Sequence, residues 1–160
     1  MLVVKMALMP QGASGRPLPH VSVATWAENR LQDKDGTFSL IRIVDTMLYE
    51  GDLEGAGSLP LKGLIILKSD KAVGDYSMRL EILSPRGRII RTKPMVIKLT
   101  GAEQGTSAPL DIPMKPDGPG LYWTSVIVDD VVLTRIPLRL APVQQPRSEA
   151  DSQTAPPRTE

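Results

Sequence analysis

The stretch that decides the fold is Gly120–Leu140, GLYWTSVIVDDVVLTRIPLRL. Two runs rich in β-branched and aromatic residues flank Asp129-Asp130, the pattern of a β-hairpin. The second run alternates strictly. Ile136, Leu138 and Leu140 share one face, and Arg135, Pro137 and Arg139 share the other, as in a strand with one face on a core and one in water. A hairpin with one oily side needs a second layer to cover it, so the other apolar runs are read as strands supplying that layer.

Those runs continue upstream. His20–Ala27 (HVSVATWA) alternates and reads as a first strand, Asn29–Gly36 as a polar turn, and Thr37–Asp45 (TFSLIRIVD) as a second strand. The segment 46–60 holds Gly51, Gly55, Gly57 and Pro60 and reads as a long loop, functional or mobile in a compact domain. Leu61–Lys68 reads as a third strand and Ser69–Gly74 as a turn. In Asp75–Leu83 (DYSMRLEIL), Tyr76, Met78, Leu80 and Ile82 lie on one side. Ser84-Pro85-Arg86-Gly87 is a β-turn sequence. Arg88–Thr100 carries a fifth strand interrupted by Pro94, and Ala108–Met114 a short sixth. The spacing of these strands, without an amphipathic helix, predicts an all-β fold, an antiparallel β-sandwich of seven to eight strands.

The chain has 160 residues, enough for one domain. Residues 1–18 are expected to be a disordered or loosely docked N-terminus, 19–143 the sandwich, and 144–160 a disordered tail too poor in apolar side chains to offset its ordering entropy. The run MLVVKMALM is too short to span a bilayer, and Lys5 within it spoils a secretory leader. Net charge is +1, so no global field argues for nucleic acid or an anionic membrane. With no cysteine, thiol chemistry and disulfides are excluded, and a reducing cytoplasm suits the chain.

Three places together resemble a family of small, uncharacterised bacterial proteins of the immunoglobulin-like sandwich type. They are Ser39–Asp45 (SLIRIVD), Gly120–Trp123 (GLYW) and Leu133–Leu138 (LTRIPL). The family pattern is S-L-I-x-I-x-D in an early strand and G-x-Y-x-F/W in the last hairpin. The resemblance implies the fold over about 21–140 and carries no activity with it. Asp130 departs from it, standing where such hairpins place glycine. Gly120-x-Tyr122 also resembles a tyrosine corner, although the place four before the tyrosine is Gly118 and the acid, Asp117, is one further back. Ordinary core packing is the other reading of Tyr122.

No catalytic, cofactor or metal motif stands out. His20 is the only histidine and is read as a partly exposed strand-end residue, not a triad member. Asp33-Lys34-Asp35-Gly36 resembles a calcium loop, but position twelve would be Val44, so it reads as a hairpin turn. Asp45, Asp129 and Asp130 would form a cation site only if their loops met. Glu50, Asp52 and Glu54 read as solubilising, since catalytic carboxylates need a pocket that separates their pKa values. The most distinct charge feature is the acid-free run holding Arg86, Arg88, Arg91, Lys93 and Lys98. It reads either as an edge protected against aggregation or as a surface for a protein partner; the lack of interleaved aromatics argues against nucleic acid. Trp26 and Trp123 are expected in the core. The expectation is a non-enzymatic binding or scaffolding module of a bacterial cytoplasm, without cofactor or membrane contact. A structural subunit of a larger assembly, phage-like or secretion-type, is the alternative, and an enzyme comes third.

Overall fold

The computed structural model describes residues 15–53, 55 and 57–143, with backbone alone at 102 and 103. Eight strands follow one another: β1 His20–Gln32, β2 Phe38–Val44, β3 Thr46–Tyr49, β4 Leu59–Leu83, β5 Ile89–Arg91, β6 Met95–Met114, β7 Gly120–Val128 and β8 Val131–Pro142. No helix occurs among the described residues. The fold is all-β, as the alternation predicts. Hydrogen bonding runs in the order β2-β1-β4-β7-β8-β3, with β5 and β6 also on β4. Every ladder is antiparallel except β3–β8, which is parallel.

The strand β4 ties two layers into one molecule. Its first half pairs with β1 and the second half of β6, and its second half with β7, the first half of β6 and β5. Leu61, Ile65, Leu67 and Ser69 are buried along the first half, whereas Ala72, Tyr76, Met78, Leu80 and Ile82 are buried along the second. Leu64 is buried as well but outside the core cluster, and the set within that cluster changes from odd to even positions. Register shifts flank Asp70, whose φ is +48°, and such an irregularity bends a strand and changes which side chains face inward. Its partner β6 reverses in step, from Ile97 and Leu99 to Ala108, Leu110 and Met114. Across the interior β1 packs on β8 with no ladder between them.

Sequence alone suggests a turn at Ser69–Gly74 and a break within β6. Both are instead bends within continuous strands, because the β4–β6 ladder resumes on each side of the irregularity. The first strand also runs on to Gln32, past the expected turn at Asn29. In the supposed loop 46–60, Thr46–Tyr49 forms β3 beside β8; the Asp45 carbonyl accepts from Arg139 N at 2.7 Å and Tyr49 O from Val143 N at 2.9 Å.

The deciding hairpin behaves as its alternation requires. Ile136, Leu138 and Leu140 are buried against Tyr122 and Val126 of β7 in a single core cluster. Its turn residues Asp129 and Asp130 have φ of +45° and +66°, left-handed values that cost a non-glycine residue free energy. Hydrogen bonds to their side chains offset that cost. Asp129 Oδ1 accepts from Ser77 N at 3.0 Å, its Oδ2 from Arg16 Nε at 2.8 Å, and Asp130 Oδ1 pairs with Arg79 at 2.6 Å. Arg16 also lies 3.8 Å from the centre of the Tyr76 ring, and Leu18 is buried. Residues 1–14 and 144–160, expected from sequence to be disordered or loosely docked ends, lie outside the described residues.

Trp26 fills the first layer's centre at 1% exposure, opposite Gly63 in register. A Cβ at Gly63 would lie 2.6 Å from Thr25 O and 2.8 Å from Trp26 Cε3, so the glycine makes room for the indole. Gly63→Ala must therefore displace backbone or ring. Urea denaturation should show a loss of at least about 1–3 kcal/mol, the usual range for overpacking; unchanged stability would contradict this packing.

Candidate functional site

The basic run does not form one cationic ribbon. Arg86 and Arg88 sit in the β4–β5 turn, closed by Gly87 N donating to Ser84 O at 3.0 Å. Both turn onto the segment before β7. Arg88 Nε lies 3.5 Å from Asp117 Oδ2, and its Nη2 donates to Lys115 O; the Arg86 guanidinium packs over Gly118. Arg91 Nε reaches Glu81 Oε1 at 3.0 Å. These arginines are engaged within the fold, while Lys93 and Lys98 project from the edge with no ion pair among the described residues.

Asp117 joins that turn to a tyrosine corner. The Tyr122 hydroxyl donates to Gly118 O at 2.6 Å and accepts from Asp117 N at 3.1 Å, while Ser84 Oγ donates to Asp117 Oδ2 at 2.6 Å. The corner is present, displaced by one residue from the usual acid position. Burial lifts the Tyr122 pKa above its ordinary 10.0, against the opposing pull of the Asp117 amide. The native state thus keeps the phenolic proton longer than the unfolded chain does, so this group makes stability fall as pH rises above 10. The substitution Tyr122→Phe should cost about 1–3 kcal/mol by stranding its partners and remove that component of the alkaline slope. Denaturation midpoints of both proteins from pH 8 to 11 check both effects.

The outward face of the second layer presents a second arrangement. Successive register pairs Ile89–Leu83, Leu83–Trp123 and Trp123–Pro137 set four apolar residues side by side across β5, β4, β7 and β8. Ile89, Leu83 and Trp123 are 47%, 43% and 38% exposed. Trp123 is thus outside the core, contrary to expectation: with Tyr122 and Thr124 buried, the pleat points their neighbour outward. The adjacent row is polar, Arg91–Glu81–Ser125–Arg135. Between the rows lies an open hollow of about 190 Å³ lined by Glu81, Leu83, Ile89, Trp123, Ser125 and Arg135.

Arginines divide by their engagement. Arg16 pairs with Asp129, Arg30 with Asp111, Arg42 with Glu28, and Arg79 with Asp130. Arg86, Arg88 and Arg91 are engaged as well. Arg135 and Arg139 have no side-chain hydrogen bond or ion pair among the described residues, and both stand on the outward face of β8 beside Pro137.

The remaining candidates do not converge. His20 Nδ1 pairs with Asp70 Oδ2, both partly exposed, beside a shallow hollow lined by Pro19, Val21 and Val132–Thr134. Asp33–Gly36 is a hairpin turn in which Asp35 Oδ1 accepts from Thr37 N at 2.9 Å, a bond that holds the Asp35 pKa below its ordinary value. Asp129-Asp130 and Asp45 lie near opposite ends of β8. Asp52 accepts from Gly55 N at 3.2 Å, Glu50 is exposed, and Glu54 lies outside the described residues. No group of three or more His, Asp or Glu able to hold a metal occurs among the described residues, and no helix there is long and apolar enough to cross a membrane.

Ladders and corner together define an all-β domain of two layers joined through β4 and β6. No family model and no curated protein matches the chain. Among solved structures it is similar to the alkylpurine DNA glycosylase AlkC of Pseudomonas fluorescens bound to DNA containing an abasic-site analogue, at 14% identity and a TM-score of 0.46, over 81% of this chain and 32% of that one. It is also similar to an immunoglobulin-like protein from Pseudomonas aeruginosa, at 13% identity and a TM-score of 0.40, over 81% of this chain and all of that one. The chain therefore spans about a third of the glycosylase's length.

Proposed function

We propose that this chain is a non-enzymatic binding or scaffolding module of a bacterial cytoplasm, an immunoglobulin-like domain whose partner is a protein. The observation that carries the reading is the exposed apolar row Ile89, Leu83, Trp123 and Pro137. Water-facing sheet positions are ordinarily polar, and a contiguous apolar patch with a polar rim marks an interaction surface. Tryptophan is also enriched among residues that dominate binding energy. Through Ile89 and Arg91 the row adjoins the strand edge that carries the basic run, in which Arg86, Arg88 and Arg91 are engaged within the fold; Lys93 and Lys98, further along that edge, add positive charge that steers an acidic partner. A photo-crosslinking side chain at Ser125, used in native cells, should capture a partner, and Trp123→Glu in the same protein should abolish the capture. Adducts that persist with Trp123→Glu overturn the reading.

A structural subunit of a larger assembly is the second reading, and the other side of the molecule favours it. Ile41, Ile43 and Leu48 are exposed along the outer edge formed by β2 and β3. Elsewhere the edges carry Pro94, Lys98, Pro109 and Pro113, residues that hinder strand addition; residues 38–49 contain neither proline nor lysine. Sedimentation over a hundredfold concentration range separates the readings. A binding module stays monomeric, whereas a subunit self-associates and is returned to monomer by Ile43→Lys.

A further inference from the structure

Arg135 and Arg139 are four positions apart on β8, a separation of about 13–14 Å at strand rise. Both point outward, as does Pro137 between them, and Pro137 is the register partner of Trp123. Arg135 also lines the hollow beside Trp123 and Leu83. The one carboxylate in that hollow, Glu81, is held by Arg79 at 3.6 Å and Arg91 at 3.0 Å, so the positive charge of Arg135 and Arg139 is left over. The face thus presents cation, apolar centre and cation in a line with strand periodicity, while the other described arginines are engaged within the fold.

We infer that this face receives an extended acidic segment of a partner protein, with the pattern acid–x–apolar–x–acid. Alternate side chains of an extended chain fall on one side, so such a segment laid along β8 sets its apolar side chain on Trp123 and Pro137 and its carboxylates on Arg135 and Arg139. A guanidinium holds a carboxylate through two parallel hydrogen bonds, which gives the pairing its geometry. Each partly exposed ion pair contributes up to about 1 kcal/mol, roughly fivefold in affinity. The apolar anchor supplies contact and the two ion pairs supply spacing. The inference rests on the reading of this face as a protein-binding surface and adds the chemistry of what it binds.

The test uses the full chain and two fluorescein-labelled peptides of one composition, Gly-Ser-Glu-Thr-Leu-Thr-Glu-Ser-Gly and the permuted Gly-Ser-Leu-Glu-Glu-Thr-Thr-Ser-Gly, with fluorescence anisotropy as readout. The spaced peptide is expected to bind at least about fivefold more tightly than the permuted one. Arg135→Glu and Arg139→Glu should each remove that advantage, and rising salt should weaken binding. Both arginines are off the core, so unchanged circular dichroism and melting temperature should accompany the loss. Equal binding of the two peptides, indifference to both reversals, or no binding of the spaced peptide at about 1 mM overturns the inference; so does tighter binding of a twelve-nucleotide single-stranded DNA at the same salt. If Trp123-dependent crosslinking persists while the peptides fail, the binding-module reading stands and only the acidic-segment inference falls. If both fail, the face is not a binding surface.

Discussion

Everything in this molecule depends on the phase reversal between Ser69 and Ala72. A strand of 25 residues is too long for one layer of a small sandwich. At Asp70 it bends and swaps the parity of its inward side chains, so that both halves bury their apolar sets in one core. The parallel reversal in β6 keeps the two strands paired on each side of the bend. Once β4 is placed, β1 and β2 follow in one layer, and β7, β8 and β3 in the other. The outward parity of each layer, and with it every candidate surface, is fixed by the same event.

Parity also explains why the chemistry lies on a face. The core takes Tyr122, Thr124 and Val126 from β7 and Ile136, Leu138 and Leu140 from β8. Trp123 and Ser125, with Arg135, Pro137 and Arg139, are therefore carried outside. Burial of the tyrosine corner anchors the start of β7 through Asp117 and Ser84, and the same contacts occupy Arg88. Arginines next to structural carboxylates are thus committed to the fold, whereas the pair on β8 has no ion pair among the described residues. In the basic run most prominent in sequence the three arginines are engaged within the fold, and only Lys93 and Lys98 project without an ion pair among the described residues.

How much of this was legible in the chain follows from the range of each signal. Strict alternation in Ile136–Leu140 and in Tyr76–Ile82 announces half-buried strands, and these fall where expected. The bends at Asp70 and near Gly101 look like breaks between strands in the sequence, since a phase slip and a turn are alike without knowledge of the partner strand. Four residues were too few for β3 to show a period, and its pairing with β8 is non-local. Residue type alone sends Trp123 to the core, whereas the corner signal at its neighbour Tyr122 implies an outward Trp123. The engagement of Arg88 by Asp117 and of Arg91 by Glu81 depends on contacts between segments, which charge counting along the chain does not register.

The two tryptophans test the parity claim most directly, because the fold sends them to opposite environments. Acrylamide quenching of the native chain and of Trp123→Phe, which retains Trp26 alone, is the measurement. Wild-type emission is expected to contain a readily quenched, red-shifted component, and Trp123→Phe to retain only blue-shifted emission resistant to quenching. If the emission that remains in Trp123→Phe is as accessible to acrylamide as the component removed, the layers are not facing as described.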